Sequence, residues 1–200
     1  MTQLKPKLWT AQYFLVVFMM FLFLLCLHMM NAGFPVFLTQ ITGNPAISGA
    51  MMTAFMIAAI ITRPVVSALL QKIEIKKTIA ITLCIIFICI FLSYGQTSIP
   101  FLLFIRVIEG IGFGIVTTLL ATLITLHIPN ERVGEGIGYF SMASSLGGTL
   151  APALALSMIH SFSFNSLLLL AIAIIISKTY FINSSFFNLN RSFKDIVGNI

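Results

Sequence analysis

The sequence predicts an all-α membrane protein that crosses the bilayer with six transmembrane helices. Three observations carry this: 59% of the 200 residues are hydrophobic, only 8% are charged, and the charges stand between long apolar runs. A soluble domain carries about 25% charged residues because it needs a water-facing surface. Nineteen Phe and ten Met are costly to expose to water and cheap to expose to lipid. Soluble enzymes, secreted disulfide scaffolds and disordered tails are excluded. The net charge of +6 does not point to nucleic acid, because the cations lie in ones, twos and threes at the ends of apolar runs rather than on one solvated face.

About 20 apolar residues are needed to cross the hydrocarbon core. The first run lies between Tyr13 and Leu38, and a second goes from Pro45 to Leu70, where the charged patch Gln71 to Lys77 stops it. A third covers Thr78 to about Tyr94, and a fourth opens at Pro100 and ends near His127. The fifth covers about Gly136 to Ile159 and the sixth Phe164 to about Ile182. Lys5 and Lys7 precede the first run as in a signal peptide, but the apolar block is too long for one.

Orientation follows from the loops. One set of ends carries Lys5, Lys7, Lys72, Lys76, Lys77, Arg132, Lys178, Arg191 and Lys194, while the segments around 39–45, 95–99 and 160–163 carry no Lys or Arg. The positive-inside rule then places both termini in the cytoplasm, with the cell membrane as the location. Cys26, Cys84 and Cys89 all fall inside the runs and read as small packing residues rather than a disulfide set. Trp9, Tyr94 and Tyr139 stand near span ends, where aromatic anchors belong.

Arg63, Arg106 and Glu109 fall inside the spans, where a charge is expensive and a functional role is the default. Arg63 stands two turns from the inner end of its span and can snorkel; a cavity role is the alternative. Arg106 and Glu109 share a face at i,i+3. They read either as a buried structural pair or as a proton site, a carboxylate beside a fixed cation. His28 is a second titratable candidate, or a hydrogen-bonded packing histidine. Asn31, Gly33 and Pro35 follow it, so the first helix is expected to loosen before its outer end. Gly110 and Gly114 make a G-x-x-x-G contact face, and Gly147, Ala151 and Ala155 a small-residue stripe interrupted by Pro152. No nucleophile–base set, phosphate loop or metal-ligand spacing occurs, so no enzyme, cofactor or metal is expected.

These residues carry a resemblance. Arg106-Val-Ile-Glu109-Gly110-Ile-Gly112 resembles the R-x-x-Q-G-x-G element in helix four of the major facilitator superfamily. Gly138, Gly147, Ala151-Pro152 and Ala155-Leu156 resemble the antiporter signature of helix five, G-x8-G-x3-G-P-x2-G-G, with Ala151, Ala155 and Leu156 in place of glycines. The patch after span two resembles the family's loop motif in degraded form: Ser67, Gln71 and Glu74 stand where Gly, Asp and Gly are usual, while Lys72, Lys76 and Lys77 keep the charge. Asn31 and Pro35 are similar to the N-x-x-x-P ending of helix one.

The resemblance implies half of a 12-helix fold, residues 1–187 forming the N-terminal six-helix bundle and 188–200 the start of a cytoplasmic linker. It implies secondary transport by alternating access, most like the drug/proton antiporters, with a small organic substrate and protons as partners. By the same resemblance Arg106 belongs to proton coupling, the helix-five stripe to the hinge, and Gln71 to a loop whose usual aspartate is missing. A second six-helix half or a homodimer would complete the carrier. The alternative is a truncated or partner-dependent six-span protein without transport activity alone.

Overall fold

The computed structural model describes residues 8–162 and 164–185, with side chains at those positions except 12, 127 and 176–185. The expected tail at 188–200, and with it the boundary at 187, lies outside the described residues, as do Lys5, Lys7, Arg191 and Lys194.

Six long helices follow one another: α1 (Ala11–Thr42), α2 (Pro45–Leu69), α3 (Ile75–Leu92), α4 (Ile99–His127), α5 (Val133–Ser161) and α6 (Phe164–Ser185), with a single turn of 3-10 helix over Asn130–Arg132 before α5. No strand occurs among the described residues. The first five are long and apolar enough to cross a membrane, and α6 adds a shorter apolar stretch over Phe164–Ile175. The surface agrees with a lipid solvent: Ile60, Ile61 and Phe104 are each more than 60% exposed, whereas Arg106 and Glu109 are buried. A protein in water would invert that arrangement.

The helix ends follow local chemistry. The Thr10 hydroxyl accepts from the Tyr13 N–H to open α1, and Asn44 does the same for Ala46 at the start of α2, with Pro45 in the first turn where a missing N–H costs nothing. Gly43 ends α1 at φ 64, a left-handed conformation only glycine adopts cheaply, and its N–H caps the Thr39 carbonyl.

Two expectations are corrected here. Helix α1 does not loosen at Asn31, Gly33 and Pro35 but runs unbroken to Thr42. Pro35 removes one helical donor, and neighbours packed on several sides hold the rest of the ladder. The basic patch is also not all loop: α3 begins at Ile75, so Lys76 and Lys77 stand in its first turn, Lys77 pairing with Glu74 at 2.9 Å on the surface.

Helix α1 is the central element, packed against α5, α2, α6 and α4, while α4 lies mainly on α2 and α3. Glycine makes these approaches close. A Cβ at Gly114 would stand 2.8 Å from the Ala59 carbonyl oxygen of α2, and one at Gly112 2.8 Å from the Ile86 side chain of α3. The G-x-x-x-G pair therefore seats α2 on α4.

On α5, Gly147, Ala151 and Ala155 are buried, and a Cβ at Gly147 would lie 3.0 Å from the Phe21 carbonyl oxygen of α1. Gly138 and Pro152 do not share that contact. Both are exposed, and nothing lies within 4 Å of a Cβ at Gly138. The expected stripe thus lies in the seam between α5 and α1, with Gly138 and Pro152 on another face. Gly147→Val is expected to lower the melting temperature of the bundle in detergent by several degrees, and Gly138→Ala to leave it unchanged or raise it.

At the opposite end from the α1–α2 turn, the Tyr13 hydroxyl donates to the Gly136 carbonyl at 2.8 Å, and Trp9 packs its ring on Tyr13 and Tyr139. Arg132 and Glu135 form a bidentate pair at 2.7 and 2.8 Å there. Of the cysteines, Cys26 and Cys89 are buried but Cys84 is exposed on α3, which corrects its reading as a packing residue.

Candidate functional site

Among the described residues, the apolar interior of the bundle holds one charged cluster. Arg106 is 2% and Glu109 0% exposed, both on α4 and one turn apart, with Arg106 Nη1 3.1 Å from Glu109 Oε2. The guanidinium spends its directed hydrogen bonds on α1: Nη1 donates to Asn31 Oδ1 at 3.0 Å and Nη2 to the Met30 carbonyl at 3.1 Å. Its plane lies 3.5 Å from the centre of the Phe34 ring, with Phe55 of α2 at 5.9 Å. A flat, weakly hydrated cation with a fork of donors meets all three demands, and lysine does not.

Glu109 is the anomaly. Neither carboxylate oxygen accepts a well-directed hydrogen bond. Arg106 is close enough for attraction, yet its N–H groups aim at α1. A buried ionised carboxylate needs a partner and hydrogen bonds together; this one has the first without the second. Binding a proton removes that deficit.

The structure therefore joins Arg106, Glu109 and Asn31, and leaves the other sequence candidates apart. His28 is half-buried on α1 and turns toward α5, its Nε2 3.7 Å from a Cβ placed on Gly148. It makes no hydrogen bond among the described residues, which corrects the reading of a hydrogen-bonded packing histidine. Arg63 is exposed on α2, its guanidinium 5.5 Å from the centre of the Phe113 ring. Gln71 and Lys72 are exposed at the α2–α3 turn.

Sequence reasoning missed Phe34 and the Met30 carbonyl, which are recognisable only once Asn31 is known to face α4. It also missed a second small-residue line on α5, Ser141, Ser145, Thr149, Ala153 and Ser157, every member of which is exposed. Its four-residue spacing was visible in the sequence beside the buried line that drew attention.

An inside-out helical bundle with a buried ion pair has the build of an integral membrane protein. The Major Facilitator Superfamily model matches residues 16–188, and the chain belongs to that family of membrane transporters. It is similar to the staphylopine export protein of Staphylococcus aureus (strain Mu50 / ATCC 700699), 24% identical over 133 residues, which cover 66% of this chain and 33% of that relative. The chain thus spans about a third of the length of this curated relative.

Proposed function

We propose that the chain is the N-terminal six-helix half of a proton-coupled exporter of small organic molecules, set in the cell membrane with both termini in the cytoplasm. One observation carries the coupling: Glu109 is wholly buried beside Arg106 without a directed hydrogen bond. Such a carboxylate is stable ionised when Arg106 turns to it and stable neutral when Arg106 is held by α1. Proton binding and the position of Arg106 are then linked, which is the requirement for coupling a gradient to a change of conformation. The direction of transport rests on the similarity to an export protein.

The exposed line on α5 supports the reading of a half. Hydroxyls and small side chains along a helix that crosses a bilayer suit close contact with other helices better than lipid. A second six-helix body, covalently joined or a second chain, would cover that line and complete the substrate path. The same observation supports the second reading, a six-span protein with no transport activity until its partner is present.

Proteoliposomes carrying the complete carrier test the coupling. Glu109→Gln, which keeps shape and removes the titrating group, is expected to abolish uptake driven by a proton gradient while leaving substrate exchange without a gradient. Gradient-driven uptake equal to the parent would sink the role given to Glu109.

A further inference from the structure

Resting on the reading of Glu109 as the proton site, we infer that the Thr39–Ser48 hydroxyl pair and a one-water cavity behind it form the route by which protons reach Arg106 and Glu109 from the α1–α2 end of the bundle. That end is the outer side in the proposed orientation. Three observations meet there.

The first is a cavity of about 10 Å³ lined by Asn31, Ser48 and Arg106 among apolar walls that include Phe34 and Met51. That volume suits a single water, which needs two to four polar partners. The Asn31 amide, the Ser48 hydroxyl and the guanidinium are such partners. Pro35 adds another, since it lacks the N–H that the Asn31 carbonyl would accept in an unbroken helix.

The second is the hydroxyl pair. Thr39 Oγ1 and Ser48 Oγ are 3.0 Å apart, and each lies within bonding distance of the Pro35 carbonyl, at 2.8 and 3.1 Å. Two hydroxyl hydrogens thus serve three oxygens. Thr39 can donate to Ser48 while Ser48 donates to Pro35, or the reverse. The Pro35 carbonyl only accepts, so inward transfer uses the arrangement in which Thr39 donates to Ser48 and the Ser48 hydrogen swings from Pro35 to the cavity water; the transfer leaves Ser48 donating back to Thr39.

The third is continuity. Thr39 also lines an open groove of about 420 Å³ with Gln40, Val36 and Pro35, while Ser48 is buried and faces the inner cavity. The pair stands between water and the cavity.

The transfer balances simply. A hydronium in the groove gives a proton to one hydroxyl, which passes its own hydrogen to the second, and that one gives its hydrogen to the cavity water. Glu109 lies beyond Arg106 and not on the cavity wall, so the hydronium formed there passes its proton to the carboxylate only as the guanidinium moves aside, yielding a carboxylic acid and water. Arg106 Nη1 stands between, donating to Asn31 at 3.0 Å and lying 3.1 Å from Glu109 Oε2 without a directed bond to it, so the last step leaves it held by Asn31 and Met30. Among the described residues Arg106 on α4 is the charged group paired with Glu109.

The test uses the chain in lipid nanodiscs, reading the protonated-carboxyl stretch of Glu109 by infrared spectroscopy after a drop in pH. Ser48→Val and Ser48→Thr differ only by a methyl against a hydroxyl, as do Thr39→Val and the parent. Both valine variants are expected to slow the appearance of the band at least tenfold without moving its pH midpoint, and Ser48→Thr to match the parent. Valine variants that protonate as fast as Ser48→Thr would overturn the route while leaving Glu109 as the proton site. A parent chain with no Glu109 band at any pH would overturn both together.

Discussion

Gly110→Ala is expected to cost the bundle most of its folded yield. A single Cβ at this position would fall inside contact distance of the Phe55 carbonyl oxygen and 3.1 Å from the Ala58 side chain. A flexible side chain could move aside, but a backbone oxygen in the middle of α2 cannot without shifting that helix. Inserting an atom into such a contact costs about 1–3 kcal/mol in ordinary cores, and a backbone obstacle belongs at the upper end. The damage also reaches the site, because α2 carries Phe55 against the Arg106 guanidinium. Gly49→Ala on α2, where nothing lies within 4 Å of the added carbon, provides the matched control. The fraction of monodisperse protein in detergent and its melting temperature should fall for Gly110→Ala and hold for Gly49→Ala. Equal behaviour of the two would mean that α2 and α4 are not seated as described.

Removing Arg106 should be nearly as severe, for an electrostatic reason. Arg106→Ala leaves a buried carboxylate with no cation, and breaking a buried pair from one side costs about 3–5 kcal/mol. Removing both charges together, Arg106→Met with Glu109→Leu, should restore most of that stability, since no unpaired charge remains. Transport in the complete carrier would still be lost. Arg106→Lys separates charge from geometry: it keeps the cation but loses the fork that reaches Asn31 and Met30 and the plane that lies on Phe34. Its expected result is a chain that folds and transports at least tenfold less. A lysine variant with parental rates would show that only the charge matters there.

Much of the fold was legible because lipid imposes simple rules. Span count and order follow from apolar runs, and a close helix contact at Gly110 and Gly114 follows from their spacing, though not that α2 is the helix seated there. Boundaries were less legible. Amphipathic first turns such as Ile75 to Lys77 read as loop in the sequence, yet their backbone donors need no helical partner there and the side chains reach water. The continuity of α1 through Pro35 was hidden because it depends on packing against neighbouring helices.

The candidate site divides in the same way. Arg106 and Glu109 announce themselves as charges in an apolar run, one turn apart. Their dependence on Asn31, 75 positions away from Arg106, is a property of how α1 and α4 pack, and no spacing rule encodes it. His28, the other titratable candidate, faces α5 and stands apart from Arg106 and Glu109. Ser48 and Thr39 looked like ordinary polar residues at a span end until the cavity between Ser48 and Arg106 gave them a place.

The central claim is that Glu109 takes up and releases a proton inside the bundle, and one measurement addresses it without substrate or partner. Infrared difference spectra of the chain in nanodiscs, recorded across pH, report each carboxyl group as it protonates. With only five Asp and Glu in the sequence and Glu109 the fully buried one among those described, its band should stand apart from those of water-exposed acids. The expected result is a buried-carboxyl band that grows as pH falls, vanishes in Glu109→Gln and shifts its midpoint in Asn31→Ala, where Arg106 is free to turn. A spectrum without such a band, or one unchanged by Glu109→Gln, would contradict the claim.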